Sequence, residues 1–147
     1  MSETIQATGQ CLCGSVKFSA SEVSKSIGAC HCTSCQRWGG AALLAVDCGQ
    51  QVAFDDESQI SVFDSSAWAV RGFCAKCGSH LYYRLRGDGK YIMPVGLFDA
   101  DDDNGQKSFV LDHQIFIDAK PHYYTFADQT HNLTGAEVFA QVKSDDL

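Results

Sequence analysis

A mainly β fold of short antiparallel strands is what this sequence predicts, and three observations predict it. Apolar residues alternate over short runs rather than recurring with a helical period. Turn residues separate those runs at intervals of about eight to twelve positions. Only two segments invite a helical reading, and both are short: roughly Thr33 to Trp38, and Gly135 to Val142.

Taken along the chain, Ser15 to Ala20 alternates through Val16, Phe18 and Ala20. Ala42 to Val46 is a continuous apolar run, suited to a buried strand. Gln51 to Phe54 and Ile60 to Phe63 alternate again. Leu81 to Leu85 and Tyr91 to Val95 flank Arg86-Gly87-Asp88-Gly89-Lys90, a hairpin loop. Pro94 has no N–H to give a ladder, so its strand is expected to lie at an edge or to break there. His113 to Asp118 alternates through Ile115 and Ile117. The acidic stretch Asp99 to Gly105 and the tail Ser144 to Leu147 read as solvated loops; an EF-hand is disfavoured because its ligand order and closing Glu are missing.

The 147 residues are expected to form one domain, 1–147, with an ordinary hydrophobic share of 45%. No run approaches the ~20 apolar residues of a membrane helix. Met1 to Gln6 has neither a basic region nor an apolar one, so a cytoplasmic location is expected, where clustered cysteines bind metal or do chemistry more often than they form disulfides. The formal net charge is −7 with neutral thiols. Ionised thiols would make it more negative, which argues against a nucleic-acid surface.

Seven of the eight cysteines fall into three clusters: Cys11 and Cys13; Cys30, Cys32 and Cys35; Cys74 and Cys77. A closed tetrahedral zinc site takes four protein ligands, and an open, catalytic one takes three. Seven thiolates therefore suggest one of each. Cys13 and Cys77 are each followed by glycine, which lets the backbone turn tightly around a thiolate. Pairing Cys11 and Cys13 with Cys74 and Cys77 makes a closed structural site across a loop of about sixty residues. Cys30, Cys32 and Cys35 then form an open Lewis-acid site, able to deprotonate a substrate thiol or polarise a carbonyl. Two alternatives stand beside this division. His31 or a distant histidine would close the second site, or the thiols would hold an iron–sulfur cluster. His31 lies between two ligands, so its side chain is expected to point away from their metal. Cys48, alone at a strand end, reads as core.

With these residues in view, the chain resembles the glutathione-dependent formaldehyde-activating enzyme family. The matching stretches are Gly9 to Val16, Cys30 to Arg37, Arg71 to Leu81, and more weakly His113 to Ile117 with Lys120-Pro121. The resemblance implies a zinc-bearing β-tent fold, a structural zinc on Cys11, Cys13, Cys74 and Cys77, and a catalytic zinc on Cys30, Cys32 and Cys35. It implies a carbon–sulfur lyase working in the joining direction, with glutathione or a similar thiol and formaldehyde or another small electrophile as substrates. One departure is visible: where many members carry tryptophan after Lys-Pro, this chain has His122, Tyr123 and Tyr124. If glutathione is the thiol, Arg37 and Arg71 are the candidates to hold its carboxylates; the other reading of each is a surface arginine or a charge that neutralises a metal–thiolate cluster. Trp38 is expected either to wall the pocket or to pack the core. The rival to an enzyme is a non-catalytic zinc- or thiol-binding module that senses oxidants through the triplet.

Overall fold

Why the chain folds as two sheets is visible in the burial of its first strands. In the computed structural model, which describes residues 3–99 and 108–141, β1 (Thr4–Gln10) and β2 (Lys17–Ser24) are antiparallel partners. Ala7, Gly9, Phe18 and Ala20 turn one face inward while the polar residues between them face out. With β5 (Val52–Phe54) they make a three-stranded sheet in the order β1-β2-β5.

The remaining strands build an eight-stranded sheet. They are β3 (Ser26–Cys30), β4 (Leu43–Asp47), β6 (Ile60–Asp64), β7 (Ala69–Cys74), β8 (His80–Leu85), β9 (Tyr91–Pro94), β10 (Val110–Ile115) and β11 (His131–Leu133). Their order is β11-β10-β3-β4-β9-β8-β7-β6. Pairing is antiparallel except at β10, which runs parallel to both β3 and β11. Val16, Phe18, Ala20 and Val23 meet Val46, Cys48, Leu81, Tyr82, Tyr91 and Met93 in a core of buried residues. Edge-to-face aromatic pairs set its packing: Phe18 with Phe98 at 5.4 Å and Tyr82 with Tyr91 at 5.0 Å between centroids.

Among the described residues there are also two α-helices, α1 (Thr33–Gly39) and α2 (Gly135–Gln141). Thr134 caps α2 reciprocally: its Oγ1 accepts from the Glu137 N–H at 3.2 Å, and Glu137 Oε1 accepts from the Thr134 N–H at 2.8 Å.

The mainly β prediction holds, with two corrections of detail. Of the two outcomes expected at Pro94 the break is the one found: β9 is internal, between β4 and β8, and ends at Pro94, where Val95–Leu97 continues as a 3-10 turn. β10 lies three residues upstream of the predicted run. It ends because Phe116 takes a left-handed conformation (φ 54°) and Ile117–Ala119 turns as 3-10 helix. Finally β1, β3, β7 and β11 were not read as strands from their patterns. Asp99 apart, the acidic stretch lies outside the described residues, as do Val142 and the tail. Among the described residues, no helix is long and apolar enough to cross a membrane.

Candidate metal centres and active-site cleft

The thiols are gathered by strand ends. Cys11 and Cys13 lie in the turn after β1; Cys74 closes β7 and Cys77 sits in the turn before β8. All four sulfurs lie within 4.8 Å of one another. The two turns are built alike. The Gly14 N–H donates to Cys11 C=O at 3.2 Å and the Gly78 N–H to Cys74 C=O at 2.8 Å, with φ of 82° and 78° at the two glycines. Those angles strain any residue with a Cβ. The folded turns then aim backbone donors at sulfur: Val16 N–H to Cys11 at 3.3 Å, Cys77 N–H to Cys74 at 3.5 Å.

Two serines that sequence reasoning missed complete the pattern. Ser15 Oγ lies 2.9 Å from Cys13 Sγ, and Ser79 Oγ lies 3.2 Å from Cys77 Sγ. Their hydroxyls favour the thiolates, holding Cys13 below the usual thiol range and Cys77 at about 5. The signal was present as a repeated Cys-Gly-Ser, at 13–15 and 77–79.

The triplet is assembled where β3 hands over to α1. Cys30 ends β3, Cys32 is the N-cap of α1 and accepts the Cys35 N–H at 3.4 Å, and Cys35 is buried in the first turn. Their sulfurs lie within 4.8 Å of one another. Gln36 clamps this corner, donating to His31 C=O at 2.7 Å and to Ala119 C=O at 3.0 Å. Three thiols this close cannot ionise independently. Hydrogen bonding to Cys32, then to Cys35, and burial push Cys30 up; the hydrogen bonds from Cys30 and Cys35 pull Cys32 down. A divalent ion among the sulfurs removes that conflict, and an all-sulfur set suits a soft or borderline metal. The residues of both clusters therefore fit a metal ion by their donor chemistry.

His31 does not close the triplet. It is fully buried, and Gln114 spends its amide N–H on Thr130 Oγ1 at 2.9 Å, leaving Oε1 to accept from His31 Nε2 at 2.8 Å. The Tyr124 hydroxyl then donates to His31 Nδ1 at 3.1 Å. Both ring nitrogens are committed away from the sulfurs, as the sequence expectation had it, and Tyr124, one of the residues that depart from the family pattern, is what holds one of them.

Arg71 and Arg37 part company. Arg37 is exposed on α1. Arg71, on β7, is 5% exposed and places two guanidinium nitrogens 3.6 and 3.7 Å from Cys35 Sγ. Its charge lies over the rings of Trp38, at 4.8 Å, and Tyr83, at 4.9 Å. It is the cluster-neutralising reading of Arg71, not a surface one, that the geometry matches.

Beside the triplet opens a cleft of about 360 Å³ whose lining includes Cys35, Trp38, Leu43, His80, Pro94 and Leu97. Trp38 stacks on His80 with centroids 4.0 Å apart, so it walls the cleft. Burial, then the charge of Arg71, holds His80 below the usual imidazole range and so keeps it neutral near pH 7. A larger concavity, about 600 Å³, lies on the three-stranded sheet among Gln6, Thr8, Ser19, Ser21 and Gln51, with no thiol in its lining. The cleft at Cys35 is where the reactive groups converge. Cys48 is buried in the core, where desolvation pushes its thiol up to about 12.

Comparison with known proteins agrees with this arrangement. Residues 6–119, spanning all seven clustered cysteines, match the family described as glutathione-dependent formaldehyde-activating enzyme. The chain belongs to that family. A relative in Schizosaccharomyces pombe, named only as an uncharacterized lyase, is 30% identical over 135 residues, which cover 91% of this chain and 95% of that one. A crystal structure of a Rhodobacter sphaeroides protein, 21% identical, superposes with a TM-score of 0.52 over 65% of this chain and 91% of its own. At that identity it shows the fold alone. Membership of the family and the lyase-named relative support a lyase-like function.

Proposed function

We propose that this protein is a zinc-dependent carbon–sulfur lyase acting in the joining direction, adding a small thiol, glutathione or a similar one, to formaldehyde or another small electrophile. The observation that carries the proposal is the triplet itself: three sulfurs within 4.8 Å, with Cys35 in the lining of an open cleft. Two zinc ions per chain are proposed. Cys11, Cys13, Cys74 and Cys77 hold one as a closed structural site, and Cys30, Cys32 and Cys35 hold the other with a free position. Zinc in the triplet would supply a Lewis-acid position that carries the thiol as thiolate.

The chain's own residues do the rest. Gln36 and the N-cap geometry of Cys32 fix the three sulfurs before anything binds. His31 is kept from the fourth position by Gln114 and Tyr124. Trp38, stacked on His80, gives the cleft a rigid wall against which a small electrophile is held. In the reaction the thiol gives its proton to solvent, a carbon–sulfur bond forms, the carbonyl π bond breaks, and the carbonyl oxygen takes a proton from solvent. A thiol of pKa about 8.5 is about 3% ionised at pH 7, so ionisation alone gains no more than about thirtyfold. Orientation in the cleft must supply the greater part of the rate. The acidic chain, at −7, supports a small-molecule substrate rather than nucleic acid.

Metal analysis of the wild type and of Cys32→Ser tests the assignment. The expected result is two zincs in the first, and a folded one-zinc protein in the second with turnover of glutathione and formaldehyde no faster than the uncatalysed reaction. A variant that keeps both ions, or a wild type no faster than background, overturns it.

A further inference from the structure

Among the described residues, Arg71 is a buried cation paired with no carboxylate. Among the described residues its only charge-bearing neighbour through a hydrogen bond is Cys35 Sγ, reached by two nitrogens at 3.6 and 3.7 Å. Its Nε is buried with no hydrogen-bond partner. Trp38 and Tyr83 lie against the guanidinium, and with 5% exposure the residue is largely withdrawn from solvent. A buried charge in such a place is costly unless an opposite charge offsets it. Guanidinium is protonated at any working pH, so the counter-charge must come from the sulfur side.

The charge count says what this does. A divalent ion with three thiolates carries one net negative charge, and an ionised thiol in the fourth position makes it two. Repulsion between like charges in a partly dry cleft grows as the local dielectric falls. One fixed positive charge against Cys35 cancels one of those negatives before the fourth ligand arrives. Trp38 and His80, stacked 4.0 Å apart, line the open cleft, and Arg71, whose charge lies 4.8 Å from the Trp38 ring, is not among the lining residues. The guanidinium therefore acts through Cys35 and not as a clamp on the incoming ligand.

We propose that Arg71 is a positioning residue that biases the open position of the triplet toward an anionic ligand, a thiolate, over a neutral one. This rests on the triplet holding a divalent metal, as proposed above. A thiol entering there forms a metal–sulfur bond, breaks its S–H bond and releases the proton to solvent; a neutral donor releases none. The benefit of Arg71 falls on the first kind of ligand alone. A guanidinium that only filled space would support both kinds equally.

Cobalt(II)-loaded protein gives the readout, because its visible ligand-field bands report the donors directly. The probes are 2-mercaptoethanol, which has no carboxylate to confuse the charge effect, and imidazole as the neutral ligand. The proteins are wild type, Arg71→Met and Arg71→Lys. The expected result is that Arg71→Met takes up both cobalt ions and binds imidazole within about twofold of wild type, while its affinity for mercaptoethanol falls at least tenfold. Arg71→Lys, which keeps the charge but not the two-nitrogen fork, recovers most of that loss. Parallel loss of both ligands, or no change in their ratio, overturns the role of Arg71 and leaves the metal assignment standing. A wild type that takes up one cobalt and no second overturns both. Should Arg71→Met not fold, the same ratio in Arg71→Gln decides the matter by the same criteria.

Discussion

At single residues, sulfur chemistry follows surroundings, and identical side chains are given opposite roles. Cys48 is surrounded by core, and its thiol is pushed up to about 12. In the folded protein it should therefore stay unalkylated by iodoacetamide at pH 8 over a period in which the unfolded chain reacts fully; mass spectrometry of the peptide containing Cys48 checks this. Ser15 and Ser79 do the reverse for their neighbours, stabilising Cys13 and Cys77 as thiolates. Outer partners of metal ligands are worth roughly 10–100-fold in affinity. Ser15→Ala with Ser79→Ala should speed zinc loss from the closed site by about that factor, as read by a chromogenic chelator, without changing the release of the triplet ion. Gly72 belongs to this scale as well. A Cβ there would lie 2.3 Å from Cζ of buried Tyr82, so Gly72→Ala must push the ring out of the core. Overpacking of this kind costs about 1–3 kcal/mol, measured as a shift in denaturant midpoint.

Elements place these residues, and here the reading from pattern shows both its reach and its limits. β2, β5 and β6 were legible because their apolar positions alternate, β4 because its apolar run is continuous, and β8 and β9 because they flank a hairpin loop. β3 and β7 were not, and the reason is the same in both. Gly28 sits in β3 because the His113 ring lies where its Cβ would be, 2.3 Å from Nε2, and Gly72 sits in β7 beneath Tyr82. A glycine at the crossing point, and a charged Arg71 turned inward, break the alternation that marks a strand. In β1 the inward positions are Ala7 and Gly9, too small to read as a core face. The α2 cap offers a test at this scale. Loss of the Thr134 hydroxyl should cost about 1 kcal/mol of stability in Thr134→Ala and leave metal content unchanged. The Glu137 carboxyl is held below its ordinary value chiefly by the Thr134 N–H. A depressed acid stabilises the fold above its unfolded pKa, and that contribution disappears as pH falls through the lower, folded value. Glu137→Gln should therefore flatten the acid side of the stability–pH curve, measured by thermal melts between pH 3 and 6.

Across the whole molecule, the two proposed metal sites differ in what depends on them. The closed one ties the turn after β1 to the turn before β8, joining the three-stranded sheet to the large one. The triplet spans only the corner between β3 and α1. Treatment with a strong chelator should remove the triplet ion first, with far-UV circular dichroism unchanged, and the closed-site ion later, together with the fold. Simultaneous loss, or release of the second ion from a protein that stays folded, contradicts this division. The grouping of sulfurs into four and three was available in the sequence alone, because ligand spacing and the two Cys-Gly turns are local features. So was the expectation that His31 turns away from its flanking cysteines. What it meets there was not: Gln114 lies 83 residues along the chain, and Arg71 reaches Cys35 across 36. Periodicity and spacing carry information over a few residues. The cleft wall of Trp38 and His80 and the buried charge beside it come from α1, β8 and β7, which only the assembled fold brings together. The sequence by itself therefore determined which thiols stand together, and the tertiary structure decided which side of the triplet is open and what charge it faces.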